Sequence, residues 1–95
     1  MIGCYIIYSQ KINKFYIGTT QSDIEQRISK HNNGTYGSNH FTVSTNDWKL
    51  FLFIETNDFA HAVRIERKIK AMKSKKYIEN LLKYPELLSK LVSST

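Results

Sequence analysis

The sequence predicts an α/β fold: a small three-stranded, mainly antiparallel sheet flanked by about four helices. Three observations carry that expectation. Residues 5–9 and 14–19, rich in Tyr, Ile and Phe, are separated only by the polar stretch Gln10-Lys11-Ile12-Asn13, which is the pattern of a hairpin. Residues 48–55 form a third, nearly continuous apolar run of strand length, implying that helices cover both its faces. Around these runs stand helix signals, with capping residues ahead of 3.6-residue periodicity and Gly or Pro at the borders. At 95 residues the chain reads as one domain spanning 1–95, with a modest core and no repeat, low-complexity stretch or linker.

Within the hairpin, register decides what the strands present. If Ser9 pairs with Lys14, Tyr5 falls opposite Gly18 and diagonal to Tyr16, so both phenols share a face above a residue with no side chain. A slip by one residue would send them to opposite faces. Ser22-Asp23-Ile24-Glu25 then reads as a capping box, opening a helix that runs to about Asn33 with Gly34 placed to end it. On that helix Ile24, Arg27, Ile28 and His31 share one face, so an Arg and a His project beside residues that must pack. Residues 35–47 are polar, contain Tyr36 and His40, and read as a long loop that is either a functional contact or a plain connection.

Phe59–Met72 follows as a helix whose apolar stripe runs Phe59, Ala62, Val63, Ile69 and Met72, interrupted by Glu66. A carboxylate there is costly unless paired or bound to a cation. An ion pair with Lys70, four residues on, and a metal site are both consistent with the spacing. Ser74 caps a further helix through residue 83, and Pro85 opens a last one to about residue 92. The leucines of these two helices, interrupted by Pro85, read as packing.

Charge points outward. The net charge is +6 and the isoelectric point about 9.5. Arg64, Arg67, Lys68, Lys70, Lys73, Lys75 and Lys76 lie close together, relieved by Glu66, and read either as phosphate contacts to a polyanion or as a solvated helix end favoured by the macrodipole, the first being the stronger reading. His61 lies with Arg64 and Lys68, off the apolar stripe. The single cysteine, Cys4, cannot form an internal disulfide and reads as a small hydrophobe. The sequence shows neither a signal-peptide pattern nor an apolar run long enough to span a bilayer, so the expected setting is intracellular with no membrane partner.

Gly3-Cys4-Tyr5, Tyr16-Ile17-Gly18, Arg27, His31 and Glu66 occur in an order that resembles the GIY-YIG endonuclease family. Cys4 stands where that family usually has Ile, and the second triplet is complete. The resemblance extends from Gly3 to about Lys76. It implies the same sheet core and hydrolysis of DNA phosphodiesters with a single divalent cation, Mg²⁺ or Mn²⁺, leaving a 5′-phosphate and a 3′-hydroxyl. By residue it implies Tyr5 as the base that activates water, directly or through a second water, Tyr16 as the group that positions that water or the phosphate, and Glu66 as the metal ligand; Arg27 fits as the charge that stabilises the crowded phosphate, and His31 as a hydrogen-bond partner of Tyr5 or the phosphate or as a group that assists the leaving 3′ oxygen. The family's later Asn falls near Ile78 here, with Asn80 two positions on. No zinc finger or helix-turn-helix accompanies these residues, so the expected partners are DNA and a separate protein supplying substrate specificity. The competing reading is a nucleic-acid-binding module that uses the same surface without cutting, its exposed aromatics Tyr36 and Tyr77 stacking on bases.

Overall fold

The computed structural model describes residues 1–33 and 45–95. In chain order these form β1 (Gly3–Ser9), β2 (Lys14–Thr20), α1 (Ile24–Asn32), β3 (Lys49–Glu55), α2 (Phe59–Met72), α3 (Lys75–Lys83) and α4 (Pro85–Ser94). The expected α/β fold is what the chain adopts. All three strands are antiparallel in the order β2-β1-β3, so β1 is central and buried along its length except at Tyr8. Gly34, Tyr36, His40 and most of the predicted loop fall outside the described residues.

Strand alternation divides the core in two. Cys4 and Ile6 face a cluster built with Ile54, Ile65, Ile69, Ile78, Leu81 and Leu91, which is the side covered by α2, α3 and α4. Tyr5 and Ile7 face the other way and pack with Trp48, Tyr16, Ile24 and Ile28, the last two from α1. The sheet is thus a middle layer.

The hairpin register is the one expected: Ser9 pairs with Lys14 and Tyr5 with Gly18. Its turn is held by side chains. Asn13 adopts φ 51°, a left-handed conformation that Asn tolerates, and its Oδ1 accepts the Tyr8 hydroxyl at 2.6 Å. From beyond the sheet, Asp47 accepts from Ser9 Oγ at 2.5 Å, Thr45 Oγ1 at 2.6 Å and the Lys11 amide at 3.0 Å. Those donors hold the Asp47 carboxyl far below the usual carboxylate range, the Ser9 hydroxyl contributing most and Thr45 next.

Three expectations need correction. β3 is an edge strand whose faces are only partly covered: Ile54 is buried, but Phe51, Leu52 and Phe53 are half-buried and Leu50 is exposed. A bulge explains its unbroken apolar run. Ile6 pairs with Leu52 but Ile7 with Leu50, so Phe51 is an extra residue, and both Phe51 and Leu52 turn toward the α2–α4 core. Second, the α1 cap is Asp23 rather than Ser22, its carboxylate accepting the Glu25 amide at 3.0 Å. Third, the buried stripe of α2 is Ala62, Ile65 and Ile69, with Phe59 and Met72 exposed. Glu66 therefore borders the buried face and does not interrupt it.

Candidate active site

Tyr5 carries the geometry of the α1-side face. Its ring lies over Gly18, where a Cβ would come within 2.6 Å of the phenol oxygen; only glycine leaves that space. The hydroxyl meets His31 Nε2 at 2.7 Å, joining the central strand to the last turn of α1. Tyr16 completes the group, its ring centroid 4.9 Å from His31 and 6.3 Å from Tyr5. Tyr5 and His31 are each 1 % exposed, whereas Tyr16 is half-buried and forms the outer member of the cluster.

Two further residues fix this cluster, and sequence reasoning does not single them out for it. Trp48 is buried and meets Tyr16 edge-on at 6.5 Å. Asn32, next to His31, grips the Trp48 backbone twice: its Oδ1 accepts the Trp48 amide at 2.7 Å and its Nδ2 donates to the Trp48 carbonyl at 3.1 Å. A polar residue at a helix end has many uses, so nothing local distinguishes Asn32 from a cap.

Arg27 lies one turn before His31 on α1. Its guanidinium donates to the Thr19 carbonyl at 3.2 Å, which draws the charge toward the end of β2. Glu66 is on α2, the helix packed against the opposite face of the sheet, and pairs with Lys70 at 2.7 Å while keeping 19 % of its side chain exposed. It acts on the strand from that side: burial above all, and then the Glu66 carboxylate, push the Cys4 thiol up to about 12, with Lys70 opposing. Cys4 is thus a protonated, buried thiol and packs as a small apolar residue. The structure brings Tyr5, Tyr16 and His31 into contact, with Arg27 on the same helix as His31. Glu66 does not join that contact group.

Residues 1–78 match the family model described as the GIY-YIG catalytic domain. The chain belongs to the GIY-YIG family. No curated protein and no solved structure shows a significant match to it. The GIY-YIG match spans β1 to Ile78 in α3, and so includes both tyrosines, Arg27, His31, Glu66 and the basic run. The family is one of nucleases, whose substrate is DNA and which are generally metal-dependent. Ile78, at the place of the family's later Asn, is a buried core residue, and Asn80 accepts the Tyr84 amide through its carbonyl.

Among the described residues of this GIY-YIG domain, no group of three or more His, Cys, Asp and Glu comes together as a metal cage. The donor set fits a hard cation in the sparser mode, in which one carboxylate is joined by waters and substrate phosphate oxygens. Glu66 is partly exposed, as that mode requires, and is paired with Lys70. No described helix is long and apolar enough to cross a membrane. Of the basic run, Arg64 donates to the Thr95 carbonyl at 2.9 Å, Lys75 to the Asn13 carbonyl at 2.7 Å, and Lys70 is paired with Glu66. Arg67, Lys68, Lys73 and Lys76 are exposed. His61 meets backbone, its Nε2 3.0 Å from the Val92 carbonyl.

Proposed function

We propose that this GIY-YIG domain is a DNA endonuclease that hydrolyses phosphodiesters with one divalent cation, Mg²⁺ or Mn²⁺, and leaves 5′-phosphate and 3′-hydroxyl ends. The observation that carries the reading is the 2.7 Å contact between Tyr5 Oη and His31 Nε2 beneath Tyr16. Core tyrosines usually find a backbone partner or water. With His31 in its Nδ1–H tautomer the phenol donates to Nε2 and has a proton acceptor at hand, which a phenol with an ordinary pKa near 10 needs in order to act as a base near neutral pH.

In this scheme Tyr5, itself buried, takes the attacking water's proton through an intervening water as His31 Nε2 takes the phenol proton. The water oxygen then bonds to phosphorus, the bond from phosphorus to the 3′ oxygen breaks, and that oxygen leaves with a proton from solvent. Tyr16, the outermost phenol, orients the water or the phosphate. Arg27 offers a planar set of donors to the phosphate oxygens as charge accumulates on them, a task for which guanidinium is better shaped than ammonium. Glu66, on the α2 side of the sheet, would hold the cation in place of Lys70, and the cation would supply positive charge to the substrate phosphate.

Tyr5→Phe tests the scheme because it keeps the ring over Gly18 and deletes only the hydroxyl. Stability is expected to change by about 1–2 kcal/mol, while cleavage of end-labelled DNA falls by about a hundredfold or more. Wild-type products should be religated by DNA ligase, which requires the proposed ends. Full activity in Tyr5→Phe would reduce the pair to packing. The binding-only module draws support from the Glu66–Lys70 ion pair, which gives Glu66 a structural use. It predicts binding without religatable products.

A further inference from the structure

Phe59 breaks the usual expectation for an aromatic residue on an apolar stripe: it is 37 % exposed at the first position of α2. It borders a cavity of about 320 Å³ whose other walls are Thr19, Thr20, Gln21, Ser22 and Arg27. That volume is at the small end of ligand sites, which run from about 300 to 1,000 Å³. Its lining is three hydroxyls, one carboxamide, one guanidinium and one flat apolar ring, with no carboxylate. The other described cavities are lined mostly by leucine, methionine and aromatic side chains or carry a Glu.

The walls are ordered. Arg27 is drawn to this end of β2 by its bond to the Thr19 carbonyl. Thr20 is 2 % exposed and its hydroxyl is spent on the turn between strand and helix, accepting the Ser22 amide at 3.1 Å and donating to the Ser22 carbonyl at 3.4 Å, which leaves Thr19, Gln21 and Ser22 as the polar side chains facing the cavity. Both α1 and α2 begin at the rim, but Asp23 and Asp58 already take the amides of Glu25 and His61, so the helix ends are not what recommends the cavity. A cation with hydroxyl donors on one wall and an exposed ring on the other matches a nucleotide, with phosphate and sugar on the first and the base face on the second.

We propose that this cavity is a nucleotide subsite, with the Thr19, Gln21 and Ser22 side chains holding the phosphate next to the scissile one on which Arg27 acts, and Phe59 stacking on the base beside it. The assignment rests on the nuclease reading for its place next to the cut. Glu66 lies seven residues beyond Phe59, two turns along the same side of α2 and about 10 Å away along the axis, so a strand seated on Phe59 is directed toward that carboxylate. A base reaches Phe59 only when it is unstacked. The subsite therefore selects DNA with an unpaired nucleotide beside the scissile bond, such as a flap, branch or frayed end.

The test is binding of thymidine 3′,5′-bisphosphate to the whole chain, followed by amide chemical shifts, beside the same titration with deoxyribose 3′,5′-bisphosphate, which lacks the base. Shifts are expected at residues 19–22, 27 and 59. Phe59→Ala should weaken the thymidine compound about tenfold, the scale of one base–aromatic stack, and leave the base-free compound unchanged; Phe59→Trp should restore affinity. Because Phe59 is exposed, unfolding of these variants is checked by their melting temperature, and Phe59→Trp remains informative if Phe59→Ala fails to fold. Equal affinity of folded Phe59→Ala and wild type, shifts confined to other surfaces, or no wild-type binding at millimolar probe would overturn the subsite. Phe59-dependent binding in a protein that cuts no DNA would sink the nuclease reading alone; cleavage without such binding would sink the subsite alone.

Discussion

Tyr5 shows how little sequence space the site allows at the level of single residues. Its ring occupies the volume above Gly18 and its hydroxyl meets His31, so the second triplet ends in glycine for a steric reason and not for flexibility. Gly18→Ala should therefore act through Tyr5. A methyl carbon within 2.6 Å of the phenol oxygen must push the ring aside and break the bond to His31, since Gly18 sits in the backbone of a paired strand. The expected cost is about 1–3 kcal/mol of stability, with a loss of cleavage near that of Tyr5→Phe in whatever protein remains folded. Wild-type cleavage by Gly18→Ala, measured after correction for the folded fraction, would show that the Tyr5–His31 geometry does not matter. That both phenols share a face was legible from the period of two and the four-residue turn. Their meeting with His31 was legible only as a shared helix face, because the distance depends on how α1 packs.

Among the elements, the hairpin and the return of the chain into β3 hold one another. Asp47 joins Ser9, Lys11 and Thr45, while Asn32 grips Trp48 one residue on; register and helix position are thereby fixed from a single corner. The Asp47 carboxyl titrates lower folded than unfolded, so its contribution is present above the unfolded value near 3.8 and is lost as pH falls below it toward the folded value. Wild type should accordingly be more stable than Asp47→Ala at neutral pH, and the gap in melting temperature should close as pH falls below about 4. A gap independent of pH would mean that Asp47 acts through shape alone. None of this was visible in the sequence, where Asp47 is one polar residue in a polar stretch with no periodicity to mark it. Helix α2 shows the opposite limit: the sequence contained its apolar positions, but Phe59 and Ile65 exchange roles because periodicity fixes a stripe only to within about a turn. For β3, the bulge that places Phe51 and Leu52 on one side imitated a strand buried on both faces.

Across the molecule the two sides of the sheet differ in kind, with the phenols and imidazole under α1 and the basic run on α2 and α3. If the run lies along the DNA path, log affinity for unrelated duplexes should fall linearly with log salt concentration. Replacing Lys68, Lys73 and Lys76 with Ala should then reduce that slope by up to about three, roughly one for each phosphate no longer neutralised. An unchanged slope would put the DNA path on the α1 side, near Arg27 and Lys30. Glu66 lies on the α2 side, paired in this structure with Lys70 and proposed to serve a cation when DNA is bound. Nicking of supercoiled plasmid across a Mg²⁺ titration by wild type, Glu66→Gln and Lys70→Met bears on that role most directly. If Glu66 holds the cation, Mg²⁺-dependent nicking is abolished by chelator and in Glu66→Gln, with DNA binding retained, and is largely preserved in Lys70→Met. Nicking by Glu66→Gln at the wild-type rate, with Glu66→Gln and Lys70→Met equally destabilised, would refute the role and leave Glu66 as a structural ion pair.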